Sequence, residues 1–546
     1  MNQKLLKIAV SVLVVWLSGG TLLAQNTVVT LVHVNDTHSH LDATGPRDFH
    51  LDGTVGGLAK AAGVITDIRN HNPNVLLLHA GDVFTGDFFF NKFWGIAEFQ
   101  LMQKLGFDAM TVGNHEFDLG PGMLAYSLNP SNGLPGLPSF SLPLLSANLD
   151  FTHCSSPECA YLKNRISPAV LKTVGGLKIG IFGMTVPNNP TTQSGDVVIL
   201  GGDDPTVLFG IAGTQVTTLR AQGAQVVVCL SHLGFLYDQA LAASVPGIDI
   251  IVGGHDHYEF SQPLAWDRPG GGKTYYIQAG SHYEKVGKMR FTFNQGIKHI
   301  EYSLIPVDRN VQPQPEYGAI VETLKAQIVQ QWGDVYHKPA SFALADITIY
   351  NGKGNPIRDT GMGNLVTDAL RARTGTDIAI TANGLIAEGI SRGAIVGSDI
   401  FRPLSYVENT TALGLDLVTF KIDALNLITG IEATLSMLGI NEDFLLQVSG
   451  MRFAYDPTKP VGQRVILPLV FIGGKPLNPA KLYTVTANVG VAALLPMLGV
   501  KVSDEQFVGQ TDYAVLKDYI AQRPLLFSSP QLRIVELKAS ALQAVK

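Results

Sequence analysis

Val28-Val29-Thr30-Leu31-Val32-His33-Val34 runs straight into Asn35-Asp36-Thr37-His38, and the abrupt change at residue 35 decides the reading of the fold. Seven residues rich in β-branched side chains are too few for an amphipathic helix and suit a buried strand. The same punctuation recurs along the first half of the chain. Residues 74–79 lead into Gly81-Asp82, residues 109–112 into Gly113-Asn114-His115-Glu116, residues 225–230 into Ser231-His232, and residues 248–252 into Gly254-His255-Asp256-His257. A further strand is expected over 177–182, and residues 56–69 carry apolar side chains at helical spacing between the first two strands. Alternating apolar runs and helical segments predict layered α/β structure, in which loops beyond strand ends hold the functional groups.

Each polar block is weak alone, since a single histidine is more often a hydrogen-bonded turn or core residue. Together the blocks supply one donor set. Two divalent cations held close together need hard anionic or imidazole ligands, with one carboxylate shared between them. Asp36 and His38 can reach one ion together. Asp82 suits the bridge, because Gly81 before it lets the backbone approach closely. Asn114 offers a carbonyl oxygen, and His232, His255 and His257 offer imidazole nitrogens. The cofactors expected are therefore two divalent metal ions, with Mn, Zn, Fe and Co all compatible with mixed N/O ligands. His33 and His40 match no ligand position and are assigned to structure, as is His79 at a strand end; Thr37 and Glu116 are assigned to loop geometry.

These blocks resemble those of the calcineurin-like metallophosphoesterases, and Val112-Gly113-Asn114-His115-Glu116-Phe117-Asp118 resembles the secreted 5′-nucleotidase branch. The resemblance implies an N-terminal four-layer α/β/β/α domain, a linker helix and a C-terminal α/β domain. It also implies that Asp36, His38, Asp82 and His257 hold one metal and Asp82, Asn114, His232 and His255 the other. His115 and Asp118 then match a catalytic dyad. The chemistry of the pair agrees: His115 adjoins a ligand and can donate to a phosphoryl or leaving-group oxygen, while Asp118 fixes its tautomer. Water activated by the metals would attack phosphorus in line, with no protein nucleophile.

The texture changes near Gln312-Pro313-Gln314-Pro315, after which residues 317–332 carry a helical pattern. The division expected is a signal peptide over 1–24, a catalytic domain over 25–308, a linker helix over 309–335 and a substrate-specificity domain over 336–546. In the last, Met362-Gly363-Asn364, Arg373-Thr374-Gly375-Thr376-Asp377, Asn383-Gly384 and Tyr406-Val407-Glu408-Asn409 resemble the 5′-nucleotidase C-terminal domain. Arg373, Asn383 and Tyr406 are the candidate substrate contacts. Two departures stand out. The arginine that the family carries after Asn383 is replaced by Ala387 or Glu388, and the family's aromatic and Gly-Gly-Asp-Gly turn are replaced by Thr486-Ala487-Asn488-Val489-Gly490. Arg371, Arg392 and Arg402 are alternative sources of the missing cation, or else solvated surface charges.

Residues 1–24 read as a secretory signal, with Lys4 and Lys7 before a short apolar run and Ala24 at the expected cleavage point. Removing them takes two lysines and no acids from a chain of formal charge −6, leaving −8. Such an acidic chain is a poor nucleic-acid partner. Export to the periplasm or outside the cell, with no stable membrane anchor after cleavage, is the expected localisation. Cys154 and Cys159 are near enough in sequence for a loop disulfide in an oxidising compartment, and Cys229 reads as an apolar core residue. The expectation is hydrolysis of small phosphomonoesters, nucleoside 5′-monophosphates foremost, with a sugar phosphate, cyclic nucleotide or sulfur ester, or a non-catalytic nucleotide-binding role, as alternatives.

Overall fold

The computed structural model describes residues 26–187, 192–202, 204–350, 356–407, 411 and 413–538. The signal segment 1–24 and Asn409 lie outside the described residues. The first strand, Thr27–Val34, sits inside a seven-stranded sheet, between the antiparallel strand Lys285–Phe293 and the parallel strand Val75–His79, followed by Ala109–Thr111. A second, six-stranded sheet is centred on Leu177–Thr185, Val226–His232 and Ile250–Val252, which run parallel.

Side-chain alternation makes the four layers. Leu31, Leu76, Leu78 and Ala109 point from the first sheet toward Ile179, Ile181, Val226, Val228 and Val252 of the second, forming an apolar core between the sheets. Their neighbours Val32, Val34 and Leu77 face the opposite way, onto helices Leu58–His71 and Ile96–Leu105. Val227, Cys229 and Ile251 likewise face helices Thr206–Ala221 and Phe235–Ser244. Period-2 alternation in strands apolar on both faces therefore buries each sheet twice, giving helix, sheet, sheet, helix.

The strand expected to end at Leu230 continues through Ser231 and His232, which pair with Met184 and Thr185. His232 is thus held by the sheet ladder and not by a loop. Helix Pro315–Trp332 leads to the second α/β region, where Ile378–Ala382 and Leu482–Asn488 pair in a five-stranded sheet against helix Gly361–Thr374. The two regions share buried apolar surface: Phe88 stacks on Phe401 at 4.3 Å, with Tyr513 edge-on to both. Among the described residues no helix is long and apolar enough to cross a membrane. Cys154 and Cys159 form a disulfide, and Cys229 is buried and free.

Candidate metal centre and phosphoester site

All seven candidate ligands converge where the parallel strands end. Asp36, His38 and His257 form one group of ligand atoms; Asp82, His232 and His255 form a second. His38 Nε2 lies 3.2 Å from His257 Nε2, His257 Nε2 lies 3.5 Å from Asp36 Oδ1, and His38 Nε2 lies 3.9 Å from Asp82 Oδ2. In the second group His232 Nε2 is 2.9 Å from Asp82 Oδ2, and His255 Nδ1 is 3.0 Å from Asn114 Oδ1. Two ligands each about 2.1 Å from one ion sit at such separations. Asp82 Oδ2 faces imidazoles of both groups, the position a bridging carboxylate requires.

The imidazoles are oriented before any ion arrives. His232 Nδ1 donates to the Ala80 carbonyl at 2.7 Å and His38 Nδ1 to the Phe84 carbonyl at 3.0 Å, which turns each Nε2 toward the carboxylates. His232 Nε2 is buried with no well-aligned hydrogen-bond partner. Electrostatics state the same demand. Burial alone would lower the His232 pKa, but Asp82 and Asp36 raise it to about 10. Burial would raise Asp36, but His257 and His232 hold it down at about 2. Two buried carboxylates thus require positive charge between them, and the donor set fits divalent cations.

Backbone strain is concentrated here. Asp36, His38, Asp82, His255 and His257 have φ of 49°, 44°, 57°, 78° and 56°, a left-handed region that side chains other than glycine rarely occupy. Surrounding contacts fix them. Glu116 accepts from the backbone N–H groups of Val83 at 2.8 Å and Gly113 at 2.6 Å, tying the Asp82 and Asn114 loops together. Gly113 is required by space, since a Cβ there would lie 2.0 Å from Asp82 Oδ1.

His115 is placed for proton transfer. Its Nδ1 is 2.5 Å from Asp118 Oδ2, and its Nε2 points toward the metal groups, 4.0 Å from Asp82 Oδ2. Burial would lower its pKa, but Asp118 and Asp82 outweigh that and raise it to about 9. The protonated ring is therefore the stable form at neutral pH. His257, with 37% of its side chain accessible, leaves the site open on one side.

The second region brings Tyr406 to this opening, its ring 5.7 Å from that of His115. Asn383 is held within the second region, its Nδ2 donating to the Glu442 carbonyl at 3.0 Å and its Oδ1 accepting from Gln447 at 2.8 Å. Arg373 is not brought to the site. It is exposed on the last turn of helix Gly361–Thr374 and bonded to Gln510, where a cation complements the helix C-terminus. Arg402, expected either in the pocket or on the surface, is in neither place; it is 2% exposed and bonded to Asp87 at 2.6 Å and Asp399 at 3.3 Å.

Sequence reasoning missed a group beside the metal ligands. His40, assigned only to structure, is buried against Glu388, and His282 completes a cluster with them. His282 follows the strand Lys273–Ile277 after a glycine, the punctuation that also precedes Asp82, Asn114 and His255, and this was the available signal.

Residues 29–259 match the calcineurin-like phosphoesterase family model, and residues 344–493 match the 5′-nucleotidase C-terminal domain. The chain is 28% identical over 470 residues to the trifunctional nucleotide phosphoesterase protein YfkN of Bacillus subtilis, covering 80% of this chain and 30% of that much longer protein. It is also 28% identical over 477 residues to the snake venom 5′-nucleotidase of Naja atra, covering 80% and 84% of the two chains. The structure of a 5′-nucleotidase precursor from Thermus thermophilus superposes with a TM-score of 0.78 at 28% identity, covering 94% of this chain and 99% of that one. Calcineurin-like phosphoesterases use a dinuclear divalent metal site, in keeping with the two ligand groups. The chain belongs to the calcineurin-like phosphoesterases that carry a 5′-nucleotidase C-terminal domain, and is a metal-dependent hydrolase of phosphoric esters.

Proposed function

We propose that the protein is an exported phosphoesterase that removes phosphate from small phosphomonoesters, nucleoside 5′-monophosphates foremost, at a two-metal site. The observation that carries this reading is one juxtaposition: two ligand groups facing Asp82, the His115–Asp118 pair beside them, and the Tyr406 ring across from His115. Asp36, His38, Asp82 and His257 would hold one ion and Asp82, Asn114, His232 and His255 the other. Bound cations would polarise the phosphoryl group and activate water at neutral pH.

The chain's own residues do the rest. His115, protonated and held by Asp118, donates from Nε2 to the leaving-group oxygen as the ester bond breaks. Tyr406 gives a base a face to stack on, worth about 1 to 3 kcal/mol per base. The division of labour assigns residues 25–308 to catalysis, 309–335 to the link and 336–546 to substrate selection. The apolar run within residues 1–24 and the Cys154–Cys159 disulfide support export to an oxidising compartment.

Hydrolysis of AMP, ribose 5-phosphate, UDP-glucose and a 2′,3′-cyclic nucleotide by Mn²⁺-loaded protein tests the proposal. AMP should be the best substrate. Equal kcat/KM for AMP and ribose 5-phosphate would refute base recognition, and nucleotide binding without hydrolysis would refute the enzymatic reading. A second reading, the same chemistry on a sugar phosphate or cyclic nucleotide, is favoured by Thr486-Ala487-Asn488-Val489-Gly490, which stands in place of the family's aromatic residue and Gly-Gly-Asp-Gly turn.

A further inference from the structure

We propose that Glu388 is a positioning residue, supplied by the C-terminal domain, that sets the geometry of the Asp36–His38–His257 metal group. The inference rests on the assignment of that group as a metal site and extends it to a residue 348 positions away from the loop it supports. Glu388 reaches across the domain interface and bonds His40 Nε2, and its Oε1 lies 3.7 Å from His282 Nδ1. His40 Nδ1 donates to the carbonyl oxygen of His38 itself, at 2.6 Å. The His40 and His282 rings stack at 4.0 Å, and the His282 ring lies 5.7 Å from those of both His38 and His257. The His282 backbone N–H also donates to the Asp36 carbonyl at 2.8 Å. One carboxylate therefore terminates two short chains of contacts, each ending on a candidate ligand.

The support has something to hold. His38, Ser39, His282 and Tyr283 have φ of 44°, 54°, 57° and 56°, conformations that cost free energy and persist only where surrounding contacts over-determine them. Glu388 itself is anchored on both sides. Ala387 N–H donates to Pro403 O at 3.0 Å, and Ile390 and Ile347 exchange backbone hydrogen bonds. A Cβ on the intervening Gly389 would meet Ile347 O at 2.5 Å, so this segment is packed tightly on the C-terminal domain. The stacking of His40 on His282 disfavours a third ion at this cluster, because nearly parallel rings cannot both aim in-plane lone pairs at one point. In the second metal group His232 is fixed instead by Ala80 and the sheet ladder, both within the N-terminal domain.

The test uses full-length, metal-stripped protein titrated with Mn²⁺, following free Mn²⁺ by electron paramagnetic resonance, with no substrate present. Wild type should bind two ions. Glu388→Ala should weaken one of them about 10- to 100-fold, the usual effect of removing a partner that orients a ligand, and leave the other unchanged. Glu388→Gln, which keeps an acceptor oxygen for His40, should restore most of the affinity, and circular dichroism should show both variants folded. Unchanged affinity in Glu388→Ala, or an equal loss at both ions, would overturn the proposal. Fewer than two ions in wild type would instead overturn the metal assignment on which it rests. Two ions with no hydrolysis of nucleotides would leave this inference standing and remove only the proposed substrate.

Discussion

Replacing His115 by asparagine removes the proposed proton donor while leaving the seven metal ligands in place. General acid catalysis contributes about 10²- to 10⁴-fold, so His115→Asn should lower kcat on AMP within that range and leave metal content unchanged. The structure also fixes what Asp118 adds. With its pKa raised from 6.5 to about 9, His115 is about 90% protonated at pH 8; at the ordinary value it would be about 3% protonated. Asp118→Asn should therefore cost up to about 30-fold at pH 8, less in proportion to the share of the shift that comes from Asp82. The sign is definite: a donor with a raised pKa keeps its proton below that value and loses it above. The alkaline limb of the kcat profile should move down from about pH 9 in Asp118→Asn, with little change at pH 6. The assay compares AMP with p-nitrophenyl phosphate, whose phenolate departs without needing a proton. His115→Asn should harm AMP hydrolysis far more than p-nitrophenyl phosphate hydrolysis. An equal loss on both substrates, or loss of bound metal, would refute the assignment of His115 as leaving-group acid.

Three further outcomes are expected. Gly113→Ala, whose methyl would lie 2.0 Å from Asp82 Oδ1, should displace the bridging carboxylate and lower metal stoichiometry by elemental analysis; full retention of both ions would contradict the bridge. Tyr406→Ala should reduce kcat/KM for AMP about 5- to 150-fold, the equivalent of the 1 to 3 kcal/mol of one base stack, and leave ribose 5-phosphate little changed. Burial raises the Glu98 pKa to about 7, with Ser39 opposing only in part. The folded state thus holds a proton that the unfolded chain releases near pH 4.5, and stability is lost as pH rises between those values. Glu98→Gln should abolish about 3 kcal/mol of the fall in unfolding free energy between about pH 4.5 and pH 8, measured by urea titration.

The catalytic half was legible because its chemistry is local in sequence. A strand end followed by a glycine or asparagine and a metal-ligating side chain is visible in one short window, and Asp36, Asp82, Asn114 and His255 all follow that rule. His232 departs from it only because the strand extends two residues further than its apolar run. The interface was not legible for the opposite reason. Arg402 reads as a surface cation until Asp87, 315 residues away, is placed against it, and Glu388 reads as a departure from a motif until His40 is brought to it. Arg373 shows the limit of carrying a polar residue into a pocket by sequence neighbourhood, since the final turn of a helix gives a cation its own reason to remain in solvent. Asn383 is held by Glu442 and Gln447, which are remote in sequence, so its surroundings could not be read from its own neighbourhood.

The central claim is the metal pair, and anomalous diffraction from crystals of Mn²⁺-loaded protein tests it most directly. Two peaks should appear, one bounded by Asp36, His38 and His257, the other by Asn114, His232 and His255, with the Asp82 carboxylate between them. A single peak, or a second peak at His40, His282 and Glu388 in place of either position, would contradict the account.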